Sequence, residues 1–149
     1  PPSHNDSARY EDRWAQLKPN PDSPCIFTKG LAVHGVLPMP VRHGEGKLVA
    51  RDAATLQRLQ DENLIALQYT HPETGEATQE HPWNPNGSPL AIAGLTDPTG
   101  HILGLMPHPE AFHHATNHPG WTRGEVAVPG TALFANAVRY LRENPVNHS

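Results

Sequence analysis

Residues 91–110 read AIAGLTDPTGHILGLMPHPE and indicate the fold more directly than any other stretch of the chain. Two largely apolar runs, 91–96 and 101–106, flank the turn Asp97-Pro98-Thr99-Gly100. Short apolar runs around a turn that contains Pro and Gly are typical of a β-hairpin. The second run leads straight into Met106-Pro107-His108-Pro109-Glu110. The stretch therefore predicts a hairpin whose second strand ends in a loop with reactive side chains.

The elements on either side of this hairpin follow from periodicity and from turn and capping residues. They are an exposed strand near 9–17, an edge or bulged strand within 31–42 that contains Pro38 and Pro40, a tight turn at 43–46, a strand at 47–50, a helix at about 53–62 capped by Asp52, a strand at 64–70, and a final helix capped by Thr131. The apolar face of the final helix comprises Leu133, Phe134, Ala137, Val138 and Leu141.

These elements do not alternate as a regular βαβ series. Their order resembles the back half of an α/β domain, in which a parallel sheet gives way to an antiparallel extension. We therefore expect an α/β fold with a mixed sheet. Alone, these strands would leave an apolar sheet face and a sheet edge uncovered.

Composition excludes several classes of protein. The chain has 149 residues, a net charge of -4, 11 histidines and one cysteine, Cys25. No apolar run approaches the roughly 18 residues of a membrane helix, and the start at Pro1 lacks the basic and apolar regions of a secretory signal. Slightly acidic charge disfavours nucleic-acid binding, and one cysteine makes no internal disulfide. We expect a cytoplasmic protein, and the missing initial Met indicates processing or a longer polypeptide.

The densest chemistry lies at His108-Pro109-Glu110. Pro109 disfavours the helical region for His108, and residues two apart in extended chain project to the same side. The two side chains can therefore converge, so that the carboxylate orients the imidazole as a general base. The other interpretation is a surface loop with a chance His–carboxylate pair.

No residue of the sequence has a convincing setting for the nucleophile that such a base would activate. Cys25 stands between Pro24 and Ile26, whereas a strained nucleophile turn requires small neighbours. This context favours a small buried residue on a strand. Ser7 and Ser88 lack a nucleophile setting as well.

The histidines allow a second interpretation, a metal site. His113, His114 and His118 lie close together, and imidazole is a common zinc ligand. However, the segment lacks the His-Glu-x-x-His order of a metal-binding helix, and solvated loop histidines are the alternative. In the turn at 43–46, His43 and Glu45 either face a site or simply close a bend.

Five motifs together resemble a known family. They are Asn5-Asp6-Ser7-Ala8-Arg9-Tyr10-Glu11-Asp12-Arg13, Pro24-Cys25-Ile26-Phe27-Thr28-Lys29-Gly30, His43-Gly44-Glu45-Gly46-Lys47, Asn84-Pro85-Asn86-Gly87-Ser88 and Met106-Pro107-His108-Pro109-Glu110. In this order they resemble the glutaminase part of phosphoribosylformylglycinamidine synthases, which are class I, triad-type glutamine amidotransferases. The resemblance covers residues 5 to 142 and implies a flavodoxin-like domain of which residues 1–149 form the C-terminal portion.

The resemblance implies a Cys–His–Glu triad in which His108 is the base and Glu110 its orienting carboxylate. The family's nucleophilic cysteine lies upstream of every matched motif, and Cys25 matches a non-catalytic position. Ser7 falls in the segment that lines the substrate glutamine in related enzymes. His43 and Glu45 match a family signature to which the sequence assigns no role. Many relatives have Arg where this chain has Ala111, so a contact outside the triad differs.

The implied partners are glutamine, the upstream half of the glutaminase domain, and a synthetase domain or subunit that receives the ammonia. ATP and magnesium belong to that synthetase region, so the resemblance implies no cofactor and no metal in this chain. Two alternatives stay open at this point. One is a non-catalytic amidotransferase remnant that acts as an interaction module, and the other is a His-rich metal-binding protein.

Overall fold

The computed structural model describes residues 2–125 and 127–145. In these residues the regular elements are β1 (Pro2–Ser3), β2 (Glu11–Pro19), β3 (Leu37–His43), β4 (Lys47–Leu48), α1 (Ala53–Asp61), β5 (Ile65–Tyr69), β6 (Ile92–Thr96), β7 (Leu103–Leu105) and α2 (Thr131–Glu143). Short 3-10 turns connect several of them. The predicted hairpin is present as β6 and β7, joined by the turn at 97–100.

A five-stranded sheet in the order β3-β2-β5-β6-β7 forms the body of the fold, and β1 pairs separately with β4. Every pairing between these strands is antiparallel, so the described residues form the antiparallel extension of the expected α/β domain. The strand predicted near 9–17 is present as β2, but its expected exposure is wrong. β2 lies between β3 and β5, and Ala15 and Leu17 are buried because alternate side chains of the strand enter the hydrophobic core.

The strand pair β2 and β3 buries the side chains of one face. Its register places Leu17 opposite Leu37 and Ala15 opposite Met39, and paired residues share a face of the sheet. All four side chains belong to the hydrophobic core. At the other end of the same face, Glu11 pairs with His43. This face of the sheet is therefore apolar around Leu17 and polar at the start of β2.

Two prolines shape the outer edge of β3, which is an edge strand as predicted. Pro38 and Pro40 lack an N–H, and each would interrupt the ladder if its amide faced β2. Because the two prolines are two residues apart, the backbone nitrogens of both face the free edge of β3 and not β2. The carbonyl oxygen of Pro40 accepts a hydrogen bond from the His108 N–H at 2.8 Å. The chain after β7 therefore returns to β3, and the sheet curls.

The helices agree with the sequence in position but not in every cap. Asp52 accepts a hydrogen bond from the Thr55 N–H at 2.7 Å and begins α1, as predicted. Thr131 is not the cap of α2, because Gly130 occupies that position without any capping side chain. A Cβ atom at Gly130 would overlap the Pro109 carbonyl oxygen, so the close approach of two backbones excludes a side chain there.

Only part of the expected apolar face of α2 is buried in the described structure. Leu133 is 1% exposed, whereas Phe134, Val138 and Leu141 are 46%, 48% and 56% exposed. The described residues thus cover one side of this face and leave the rest in contact with solvent. No helix in the described ranges has the length and apolar character needed to cross a membrane.

Gly130→Ala is expected to destabilise the protein by about 1–3 kcal/mol, because the added methyl group would push the Pro109 backbone away from α2. Chemical denaturation measures this change. Gly104→Ala is the matched control, since its Cβ would find its nearest atom at 3.9 Å, and it should change the free energy of unfolding by less than about 0.5 kcal/mol. Equal effects would show that the approach at Gly130 is not tight.

Candidate active site

The loop after β7 brings His108 and Glu110 together, as their spacing predicts. His108 Nδ1 lies 2.7 Å from Glu110 Oε1. His108 itself avoids the helical region, with φ −107° and ψ 82°, but residues 109–111 form a 3-10 turn instead of the expected extended chain. The pair lines a cavity of about 260 Å³ whose other walls include Phe27 and Phe134.

Electrostatics favour an ionised Glu110 beside an imidazole in one tautomer. Partial burial by itself raises the pKa of Glu110, but the hydrogen bond from His108 and that residue's charge outweigh it and lower the pKa. The Glu110 carboxylate is therefore ionised at neutral pH. As the pH falls, it takes up a proton only below the usual titration range of a glutamate. An ionised carboxylate needs a donor, so Nδ1 of a neutral His108 carries the proton. Nε2 is then the free lone pair that a general base requires.

Asn5 joins two of the signature motifs at the polar end of the sheet. Its side chain is buried, and Nδ2 donates to the carbonyl oxygens of Arg9 at 2.9 Å and His43 at 2.7 Å. Its Oδ1 accepts from the Gly46 N–H at 3.1 Å and lies 3.1 Å from His43 Nδ1. One amide thus ties the loop of residues 5–9 to the turn at 43–46.

Asn86 joins the third motif to the other two. It is fully buried, and its Nδ2 donates to the Gly46 carbonyl oxygen at 2.8 Å and to the Tyr69 hydroxyl at 3.1 Å. The Asp6 N–H donates to the Asn86 carbonyl oxygen at 3.4 Å. Gly87 has a φ of +75°, and a Cβ there would overlap the Asp6 carboxylate. The segment 84–88 is therefore a specific connector and not only a surface turn.

Ser7 belongs to a polar cluster centred on Glu11. The Ser7 hydroxyl donates to Glu11 Oε1 at 2.7 Å, and His81 Nε2 lies 3.3 Å from the same oxygen. Arg13 forms an ion pair with the other oxygen. Burial raises the pKa of Glu11, but these partners outweigh it and lower the pKa. A cavity of about 260 Å³ opens beside Ser7 and His81.

The structure separates the two signature residues of the 43–46 turn. His43 is partly buried against Asn5 and Gly46. Glu45 is exposed and lies 3.6 Å from His4, another exposed side chain, so it does not join the polar cluster. Burial lowers the pKa of His43, and the positive charge of a nearby His108 lowers it further, against the opposite effect of Glu11. His43 is therefore neutral at neutral pH and lies near the His108–Glu110 pair.

Cys25 is 1% exposed. It lies in a loop and not on the predicted strand, because the neighbouring Ile26 N–H bonds to the Gly100 carbonyl oxygen of the hairpin turn at 3.0 Å. The thiol is thus closed to a substrate.

The loop histidines have local partners. His114 Nδ1 lies 2.9 Å from the Thr116 hydroxyl, and His118 Nδ1 accepts from the Gly120 N–H at 3.1 Å. The His118 ring packs against Trp14 and Phe112 at centroid distances of 5.1 and 5.9 Å. Across the described ranges, no group of three His, Cys, Asp or Glu side chains is placed to hold a metal ion.

Sequence reasoning missed Asn5, Asn86, Glu11 and His81 as members of this region. Asn5 and Asn86 stand in motifs that the sequence singled out, but an asparagine in a turn is normally explained by its own backbone. One feature of the sequence could have indicated Glu11: it is a carboxylate on the same face of the strand as the apolar residues Ala15 and Leu17. No feature of the sequence indicates His81, because only the tertiary structure brings it to Glu11.

Comparison with known proteins shows the family of the chain. Residues 3–141 match the CobB/CobQ-like glutamine amidotransferase domain. The chain belongs to this amidotransferase family. The resemblance derived from the five motifs is thereby confirmed.

Two relatives of the amidotransferase chain are named phosphoribosylformylglycinamidine synthase subunit PurQ. The protein of Methanococcus maripaludis is 38% identical over 151 aligned positions, which cover 93% of this chain and 54% of the relative. That of Dehalococcoides mccartyi is 37% identical and is covered to 52%. The solved structure of PurLQS from Thermotoga maritima contains a similar chain, with a TM-score of 0.60, 25% identity, and coverage of 94% of this chain and 52% of that one. This chain therefore spans about half the length of these relatives.

Asn86→Ala is expected to lower the free energy of unfolding by about 2–3 kcal/mol, because it leaves the Gly46 carbonyl and the Tyr69 hydroxyl without their shared donor. Chemical denaturation provides the measurement. The control is Asn144→Ala at the exposed end of α2, which should cost less than about 0.5 kcal/mol. If both variants unfold alike, Asn86 is not the connector that its contacts indicate.

Proposed function

We propose that this chain supplies the base and the orienting carboxylate of a Cys–His–Glu triad in the glutaminase domain of a phosphoribosylformylglycinamidine synthase. The observation that carries the proposal is the contact of 2.7 Å between His108 Nδ1 and Glu110 Oε1 in an amidotransferase domain. This intact pair argues against a non-catalytic remnant, which has no need to keep it.

The proposed reaction uses His108 as base and then as acid. His108 Nε2 takes the proton of a cysteine thiol, and the resulting thiolate attacks the side-chain carbonyl carbon of glutamine. The same proton then passes from Nε2 to the departing nitrogen. Ammonia leaves as the carbon–nitrogen bond breaks, and a glutamyl thioester remains. His108 then removes a proton from water, which hydrolyses the thioester to glutamate and restores the thiol. Glu110 holds the imidazole in the required tautomer and stabilises its charged form.

The nucleophile is proposed to come from polypeptide outside residues 1–149. Two facts support this proposal: the relatives are about twice as long as the matched region, and Cys25 is buried. The site also has an open side. Among the described strands β7 pairs only with β6, and exposed Phe134 lines the same cavity as His108. Polypeptide that covers this edge and the exposed face of α2 would bring a thiol to His108 Nε2.

The remaining roles follow from the same proposal. Ser7 is proposed to contact glutamine, since its hydroxyl borders a cavity and is oriented by Glu11. The ammonia is proposed to pass to a synthetase partner, which binds ATP and magnesium and converts formylglycinamide ribonucleotide to its amidine. Relatives named as PurQ subunits, and a similar chain in a PurLQS structure, support a separate synthetase subunit. A cytoplasmic location is part of the same proposal.

His108→Ala in the complete enzyme is expected to lower kcat for glutamine hydrolysis by at least about 10⁴-fold, because no other group takes the proton from the thiol. Glu110→Gln should lower it by about 10³- to 10⁴-fold through loss of the tautomer and of the charge. The measurement is the rate of glutamate formation. His113→Ala, an exposed histidine of the neighbouring loop, is the control and should retain normal turnover. Normal turnover of His108→Ala would refute the triad assignment.

Cys25→Ala in the same enzyme should leave kcat for glutamine hydrolysis within about threefold of the parent, since a buried structural thiol is not a nucleophile. By the same logic, residues 1–149 alone should release no ammonia from glutamine. Loss of turnover in the variant without loss of folding would make Cys25 the nucleophile. Full activity of the isolated chain would place the nucleophile, Cys25 or another residue, within residues 1–149.

A further inference from the structure

The turn at 43–46 has no part in the proposed triad, yet the structure places His43 between the two halves of the site. His43 is the last residue of β3 and follows closely on Pro40, whose carbonyl oxygen holds the His108 N–H at 2.8 Å. On the opposite edge, His43 pairs across the strands with Glu11, the centre of the Ser7 cluster. The titratable groups that act on His43 are therefore Glu11 and His108.

Hydrogen bonding determines the tautomer of His43. The Asn5 amide is fixed in orientation, because its nitrogen donates to two carbonyl oxygens and its oxygen accepts from the Gly46 N–H. The Asn5 oxygen cannot donate, so the contact of 3.1 Å requires a proton on His43 Nδ1. Nε2 then carries the lone pair, is shielded from solvent, and has no hydrogen-bond partner among the described residues. The one proton of His43 is thus engaged with Asn5, and the ring has no accessible nitrogen to accept another.

We propose that His43 is a positioning residue of the glutaminase site, which acts through Asn5 to hold residues 5–11, with Ser7, in place at the end of β3. The inference rests on the proposed function and extends it to the 43–46 signature. The inference explains why a histidine occupies position 43 although it does not contact the triad. Its Nδ1 is a fixed hydrogen-bond donor at the end of β3, and Asn5, which accepts that hydrogen bond, also binds the Arg9 carbonyl oxygen in the loop that contains Ser7.

Gly46 supports the same role independently. A Cβ at this position would lie 2.5 Å from His43 Nδ1 and 2.6 Å from Cε1, so only glycine lets the ring reach Asn5. A Cβ at Gly44 would find its nearest atom at 3.9 Å, and this residue has no positive φ. Of the two glycines in the turn, the imidazole therefore requires only Gly46.

The experiment replaces each nitrogen of His43 separately in the complete enzyme. Asn places its amide nitrogen two bonds from Cβ, as Nδ1 is, whereas Gln places its nitrogen three bonds away, as Nε2 is. His43→Asn should keep KM for glutamine within about threefold of the parent. His43→Gln and His43→Leu should raise KM about tenfold, which corresponds to the loss of about 1.4 kcal/mol. In all three, kcat should stay within about threefold, because His108 and Glu110 are untouched.

The glycine pair gives a second test that leaves His43 in place. Gly46→Ala should reproduce the raised KM of His43→Leu, and Gly44→Ala should not. The pH dependence of kcat/KM should keep its shape in His43→Asn, because one neutral group replaces another. These comparisons hold even if His43→Leu fails to fold, since His43→Asn and His43→Gln differ by one methylene group.

Three results would overturn the inference. The first is equal KM for all His43 variants and the parent. The second is recovery by Gln but not by Asn, which would assign the role to Nε2. The third is a loss confined to kcat, which would make His43 a participant in the chemistry. His108→Ala, measured in the same assay, distinguishes failure of the triad proposal from failure of the positioning proposal. Normal turnover of His108→Ala refutes the triad. Loss of turnover in His108→Ala, together with unchanged KM in every His43 variant, refutes only the positioning role.

Discussion

A single backbone hydrogen bond, from the His108 N–H to the Pro40 carbonyl oxygen, closes the site. It joins the chain after the last strand of the sheet to the free edge of the first strand in sheet order. Pro38 and Pro40 make this possible, because they leave that edge with acceptors and few donors. It thereby brings the chain that carries His108 to the strand that ends at His43, although β7 and β3 stand at opposite edges in the strand order.

The polar end of the sheet depends on amides more than on charges. Asn5 and Asn86 together hold the loops at 5–9, 43–46 and 84–88, and both are buried with their donors satisfied. Buried amides of this kind are costly to leave unpaired, so the three loops are held in a single arrangement. Glu11 follows closely on the loop at 5–9, so its place opposite His43 is held with that loop.

Much of the local structure was predictable, because it depends on neighbours in the chain. The hairpin of residues 91–106, the Asp52 cap and the meeting of His108 with Glu110 each follow from spacing of a few residues. Two of the errors share a cause, which is contact with distant segments. Gly130 and not Thr131 caps α2, at a close approach to the Pro109 backbone. The strand near 9–17 buries Ala15 and Leu17 because it lies between β3 and β5 and contributes to the core.

The sequence by itself determined the family, the hairpin and the meeting of His108 with Glu110, since these reside in contiguous motifs. Only the tertiary structure decided that Asn5, His43 and Gly46 form one unit, that Glu45 stands apart from it, and that Cys25 is closed to a substrate. The physical reason is range. Turn and strand preferences act over a few residues, whereas the register of β2 against β3 brings together side chains that are 32 positions apart, such as Glu11 and His43.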